Sequence, residues 1–152
     1  MQFIADNMLG KLAKWLRFLG YDVLYPRNID DNELIELSKS QDRYILTRDR
    51  EISKRKGLKV LYIASDQLDI QLRQVIEEFK LKYDSLAFNR CPECNHLLDK
   101  IDKSLVIDKV PGGVLERQDE FWVCGNCNRF YWQGSHYEKI KQKLDELFPE
   151  NQ

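Results

Sequence analysis

No apolar run in this chain is long, and the first is interrupted by lysines. Neither a membrane span nor a secretory leader is expected. Basic residues are in no excess: 24 Lys and Arg stand against 25 Asp and Glu, a formal net charge of −1. No global basic field therefore advertises a nucleic-acid partner. Cysteine is missing until Cys91, and repeats and low-complexity tracts are missing throughout. Apolar residues make up 43% of the chain, which argues against disorder, and 152 residues hold one full domain plus a small appendage. A cytoplasmic location is the expectation, because cysteine pairs without a secretion signal favour metal over disulfides.

What is there begins with a strand-to-helix unit. Phe3-Ile4-Ala5 runs into Asp6, and Leu9, Leu12, Ala13, Leu16 and Leu19 then keep helical spacing until Gly20 supplies a stop. Lys11, Lys14 and Arg17 recur on a different stripe of that helix. A carboxylate at the C-terminal end of a first strand sits where open α/β sheets put their ligands, although Asp6 can also serve as a helix cap. Strand patterns follow at residues 21–25, 44–47 and 60–63, with helices after Asp30-Asp31-Asn32-Glu33 and after Ser65-Asp66. Alternation of this kind predicts a mostly parallel sheet covered on both faces, with the C-terminal strand ends lining one edge. Asp6 and Asp49 fall at such ends, Asp66 follows a third, and Asp31 opens a helix on a neighbouring loop. Capping explains most of these carboxylates, Asp30 with Glu33 fitting a capping box, but it explains Asp49 least well.

From Phe88 the pattern changes. Cys91-Pro92-Glu93-Cys94 and Cys124-Gly125-Asn126-Cys127 flank strand-like pieces at residues 105–107 and 121–123, joined by a tight turn at Val110-Pro111-Gly112-Gly113. A closing helix is predicted over 137–148. Four thiolates in two pairs suffice for a closed tetrahedral zinc site, with a redox or disulfide role as the alternative. Asn95 and Asn128 follow the second cysteine of each pair, where left-handed backbone is often needed. His96 is superfluous to a four-sulfur site.

The acidic set Asp6, Asp31, Asp49 and Asp66 calls for cations, since clustered carboxylates repel one another. Mg²⁺ and Mn²⁺ favour oxygen ligands, and such an ion on carboxylates can activate water against a phosphodiester. Arg48, Arg50, Lys54, Arg55, Lys56 and Lys59 form the densest basic run, and with Lys11, Lys14 and Arg17 they can hold a substrate backbone or simply form a solvated surface.

Taken together, these residues resemble a known family. Ile4-Ala5-Asp6, the run from Leu9 to Arg17, Leu19-Gly20-Tyr21-Asp22, Asp30-Asp31-Asn32-Glu33-Leu34, Leu46-Thr47-Arg48-Asp49-Arg50, both cysteine pairs and Tyr131-Trp132-Gln133-Gly134-Ser135-His136 are similar to the Mut-seven-C RNase domains, which are PIN-like nucleases. The resemblance implies a three-layer α/β PIN-like domain with a mostly parallel sheet over 1–84. Over 85–152 it implies a small zinc-ribbon β unit and a terminal helix. It further implies hydrolysis of RNA at Asp6, Asp31 and Asp49, with Asp66 as a weaker fourth member, Mg²⁺ or Mn²⁺ as the catalytic ion and structural Zn²⁺ on Cys91, Cys94, Cys124 and Cys127. Trp132 and His136 match a family motif, and a packed structural histidine is the expectation there. Two rival classes are a phosphoacceptor domain of receiver type, which would want a strand–lysine unit not evident here, and an inactive module. That module would bind RNA or protein, with the ribbon as adaptor to a protein partner.

Overall fold

In the computed structural model, which describes residues 1–151, the N-terminal unit runs β1 (Gln2–Ala5), α1 (Gly10–Phe18), β2 (Asp22–Leu24), α2 (Asp31–Ser40), β3 (Tyr44–Thr47), α3 (Arg50–Ser53), β4 (Val60–Tyr62) and α4 (Leu68–Phe79). All four strands pair in parallel, in the order β2-β1-β3-β4. The chain steps from β1 to β2 on one side, then crosses back past β1 to lay down β3 and β4 on the other. That reversal leaves a crevice at the C-terminal ends of β1 and β3, where open α/β sheets bind ligands.

Short strands buried on both faces explain the near-continuous apolar runs. Ile4 and Ile45 pack with Leu34 and Ile35 of α2 and Ile52 of α3, joined by Leu24 and Val60. On the opposite face Phe3 and Tyr44 meet Phe79 of α4 edge-on, with ring centroids 5.0 and 4.8 Å away. The result is helix, sheet, helix: an α/β three-layer unit, in agreement with the alternation in the sequence.

At the N-terminal edge of the sheet, buried Arg43 donates from Nη1 to the Phe3 carbonyl at 3.0 Å and to Asp22 Oδ1 at 2.8 Å. This guanidinium ties β1, β2 and β3 together where their first backbone groups would otherwise lack partners. Gly20 closes α1 at a φ of +96°, and a Cβ there would run into the Leu86 carbonyl. Only glycine fits both demands.

The structure also departs from the predicted elements. β2 is shorter than residues 21–25. The polar cluster after β3 folds as α3, a single turn too short for any apolar period to announce it. α4 opens at Leu68 rather than at Ser65-Asp66, because the Ser65 hydroxyl accepts the Gln67 N–H in a local turn that delays the helix. Residues 105–107 are not a strand. Asp102 accepts the Ser104 N–H and starts a 3₁₀ turn over Lys103–Leu105, so only Val106 is buried while Leu105 and Ile107 face outward.

The second compact unit spans Asn89–Gln152, against Met1–Phe88 for the first. β5 (Asp99–Ile101), β6 (Phe121–Val123) and β7 (Phe130–Tyr131) form an antiparallel sheet in that order, with α5 (Val114–Arg117) between β5 and β6. Val106, Val114 and Phe121 make its small core, flanked by Ile101, Phe130 and Trp132. α6 (Ser135–Leu147) closes the chain. Among the described residues no helix is long and apolar enough to cross a membrane.

Replacing Gly20 by alanine forces a Cβ against backbone at positive φ, and we expect a loss of about 2 kcal/mol or more in urea unfolding. An unchanged midpoint would contradict this packing.

Candidate functional site

The crevice between β1 and β3 is built around one carboxylate. Asp6 follows β1 directly and is only 7% exposed. A buried carboxylate needs donors, and Asp6 has three. Its Oδ1 accepts the Met8 N–H at 2.9 Å, and its Oδ2 accepts the Thr47 hydroxyl at 2.6 Å and the Arg48 N–H at 2.8 Å. It does not cap α1, whose N-cap is Leu9 with no side-chain bond.

Thr47 links the two strand ends. Fully buried at the end of β3, its hydroxyl donates to Asp6 and accepts the Asp49 N–H at 2.9 Å. Asp49 in turn caps α3, its Oδ1 accepting the Glu51 N–H at 2.8 Å. Capping therefore does account for one of its oxygens, contrary to the expectation from sequence. The sequence reading passed over Thr47. Its signal was a hydroxyl closing an apolar strand at a position whose neighbours two residues back face inward.

Asp31 is the first residue of α2 and is exposed. It is free of capping duty because Asp30 takes it, with Asp30 Oδ1 accepting the Glu33 N–H and Glu33 Oε2 accepting the Asp30 N–H. Asp66 is exposed in the loop between β4 and α4. Parallel pairing thus puts all four carboxylates at one sheet edge. The structure joins Asp6 and Asp49 through Thr47. Among the described residues, no three of the carboxylates come together at ligating distance.

The basic residues divide. Arg48 is half-buried and donates from Nη2 to the Ala64 carbonyl at 3.1 Å, with its buried Nε lacking a hydrogen-bond partner. Arg50 donates from Nε to the Tyr62 hydroxyl at 3.1 Å. Lys54, Arg55 and Lys56 are exposed after α3, and Arg55 reaches Asn32 Oδ1, beside Asp31, at 3.4 Å. Lys11 is exposed and Lys14 half-buried on the first turns of α1. Two residues expected among the substrate contacts are placed elsewhere. Lys59 precedes β4 at the opposite edge, where it pairs with Asp42 at 2.6 Å. Arg17 is buried and holds the Val23 carbonyl.

In the second unit Cys91, Cys94, Cys124 and Cys127 bring their sulfurs within 4.8 Å of one another, and none of the four forms a disulfide. Cys91 and Cys127 sulfurs lie 3.6 Å apart, Cys94 and Cys124 sulfurs 3.3 Å apart. A tetrahedron with Zn–S bonds near 2.3 Å has edges of about 3.8 Å, so the spacing fits zinc. Both knuckles fold alike. The Cys91 N–H bonds the His96 carbonyl and the Asn95 N–H bonds the Cys91 carbonyl, while Cys124 pairs in the same way with Arg129 and Asn128. Asn95 and Asn128 take positive φ of 77° and 60°, as their positions after each second cysteine predict.

Without a cation these thiols do not titrate alike. Burial pushes Cys124 up to about 12, whereas at Cys94 hydrogen bonds from His96, Cys124 and Asn126 outweigh burial and bring it to about 6. The Tyr131 hydroxyl stands 3.0 Å from Cys91 Sγ, an outer-shell partner that spacing arguments alone did not reveal. His136 is exposed on the first turn of α6, not packed as expected, whereas Trp132 packs toward Phe121 with ring centroids 6.3 Å apart. His96 is exposed and contributes its carbonyl.

Comparison with known families matches residues 1–144 to the Mut7-C RNAse domain. No curated protein and no solved structure matches the chain.

Purified protein should carry about one zinc per chain by elemental analysis. Cys94→Ser should raise amide exchange in the ribbon far more than in the parallel sheet. Disulfides in protein purified under reducing conditions would contradict the zinc assignment.

Proposed function

The chain belongs to the Mut7-C RNAse domain family, and from that premise we propose that it is a divalent-metal-dependent ribonuclease. It hydrolyses RNA phosphodiesters at the β1–β3 crevice and acts in the cytoplasm. The observation that carries this reading is the Asp6–Thr47–Asp49 unit, in which one buried hydroxyl at the end of β3 donates to the Asp6 carboxylate and accepts the backbone N–H of Asp49. The donor set fits the implied ion, because carboxylate oxygens are what Mg²⁺ and Mn²⁺ prefer. Asp6 Oδ2 has both lone pairs taken by Thr47 and Arg48, whereas Oδ1 has one donor and keeps a lone pair for a cation.

On this reading Asp6 and Asp49 hold the ion, with Asp31 entering from α2. When bound, it supplies an activated water and stabilises the leaving oxygen. Thr47 fixes the Asp6 carboxylate and sets where the backbone of Asp49 leaves the sheet. Arg48, whose guanidinium donates to the Ala64 carbonyl after β4, is a candidate contact for a substrate phosphate, and Lys54, Arg55 and Lys56 add charge in the segment after α3, with Lys11 and Lys14 on the α1 side. The alternative, an inactive module that binds RNA or protein, is favoured by one observation: among the described residues, no three carboxylates stand at ligating distance.

The deciding experiment is cleavage of mixed RNA with Mn²⁺ or Mg²⁺. Asp49→Asn is the right control because asparagine caps helices as well as aspartate and keeps α3 in place. We expect metal-dependent cleavage by the native protein, its loss in Asp49→Asn, and an unchanged or higher metal-free melting temperature. Binding without cleavage under every metal condition would establish the inactive module instead.

A separate expectation concerns the basic segment. Neutralising Lys54, Arg55 and Lys56 should weaken RNA binding and flatten the slope of log K against log salt by about 0.7 per lost contact on a single strand. An unchanged slope would return those residues to the solvated surface.

A further inference from the structure

Beside the acidic edge lies an aromatic–cation pair that the ribonuclease reading leaves unused. Tyr62 ends β4 and pairs in register with Thr47 of β3. Thr47 is hydrogen-bonded to Asp6 in the next strand over. Strand alternation puts Asp6, Thr47 and Tyr62 in one row on the sheet face that carries α2 and α3, since Ile4, Ile45 and Val60 two residues earlier belong to that core. Two strand spacings separate Asp6 from Tyr62, so their backbones lie about 10 Å apart. A row of this kind places the phenol one nucleotide's reach from a phosphate held through a cation at Asp6.

Arg50 completes the arrangement. It directly follows Asp49, donates to the Tyr62 hydroxyl at 3.1 Å, and sets its guanidinium carbon 5.7 Å from the Tyr62 ring centroid. The partner is a neutral phenol, so the positive charge of Arg50 is not spent on a carboxylate there. Tyr62 is half-exposed, whereas Phe3, an aromatic in the core of the same sheet, is fully buried. A half-exposed aromatic ring with a guanidinium over it, at the edge of the acidic crevice, offers a surface on which an unpaired base stacks.

We propose that Tyr62 and Arg50 form a nucleobase platform that holds the base flanking the scissile phosphate, and so selects single-stranded over duplex substrate. The proposal rests on the ribonuclease reading and adds positioning residues to it. A base in a duplex is already stacked and cannot reach the ring without first being unpaired. A splayed base can, and its larger surface gives a purine the advantage over a pyrimidine.

The test is binding of a single-stranded oligoribonucleotide carrying 2-aminopurine, measured without added Mg²⁺ or Mn²⁺ and without chelator, so that cleavage is suppressed and the structural zinc is retained. Stacking quenches the probe's fluorescence. The native protein should quench it on binding. Tyr62→Phe keeps the ring and should keep the quench. Tyr62→Leu should lose it and bind about tenfold more weakly, while a duplex of the same sequence is bound alike by both. Arg50→Lys is an exposed change that leaves folding unaffected; it retains charge but not the planar fork, and should reduce the quench with the salt slope unchanged. If Tyr62→Leu and Arg50→Lys quench and bind as the native protein does, the platform is overturned and the ribonuclease reading is untouched. A native protein that neither binds nor cleaves RNA overturns both.

Discussion

The interaction on which the N-terminal unit's chemistry depends is the Thr47 hydroxyl between Asp6 and Asp49. It is buried, so its two bonds must be made internally. By donating to the Asp6 carboxylate and accepting the Asp49 backbone N–H, it fixes the end of β1 and the exit of the chain from β3 at once. The Arg48 N–H reinforces the same Asp6 oxygen. A charge that would be costly in the sheet is thereby held at its edge, with one lone pair still directed to whatever enters the crevice. The parallel order β2-β1-β3-β4 matters because it makes β1 and β3 neighbours while the chain between them departs to the far side.

The second unit solves a different problem. Its three-stranded sheet is short and its apolar core is small. Two knuckles of the same hydrogen-bond pattern present four sulfurs at spacings that suit zinc, and small domains of this kind draw folding energy from the metal itself. The Tyr131 hydroxyl beside Cys91 extends that design outward, since hydrogen bonds to ligand sulfurs orient them.

Much of this was legible in the chain. The alternation of apolar runs and helical spacing gave the parallel sheet because both faces are covered, and the two C-x-x-C pairs gave the metal unit because few other patterns need four thiols. Asn95 and Asn128 were readable because left-handed backbone selects their residue type. Other features were not legible, each for a physical reason. α3 is a single turn, below any helical period, so the cap at Asp49 had no helix to belong to. Asp102 broke an apolar run that alone reads as a strand. Lys59 and Arg17 belong to basic patterns in the sequence, but one lies at the far edge of the sheet and the other is buried against the Val23 carbonyl. The sheet edge on which four carboxylates fall follows from topology. Their separation depends on where each following loop leads, and on that the sequence is silent.

The central claim is that the Asp6–Thr47–Asp49 edge is a cation site. Crystals grown with Mn²⁺ test it most directly through anomalous scattering. The account predicts a peak in the β1–β3 crevice, within about 2.1 Å of a carboxylate oxygen of Asp6 and bonded also to Asp49. A crevice without anomalous density, with Mn²⁺ bound only elsewhere on the chain, would contradict it.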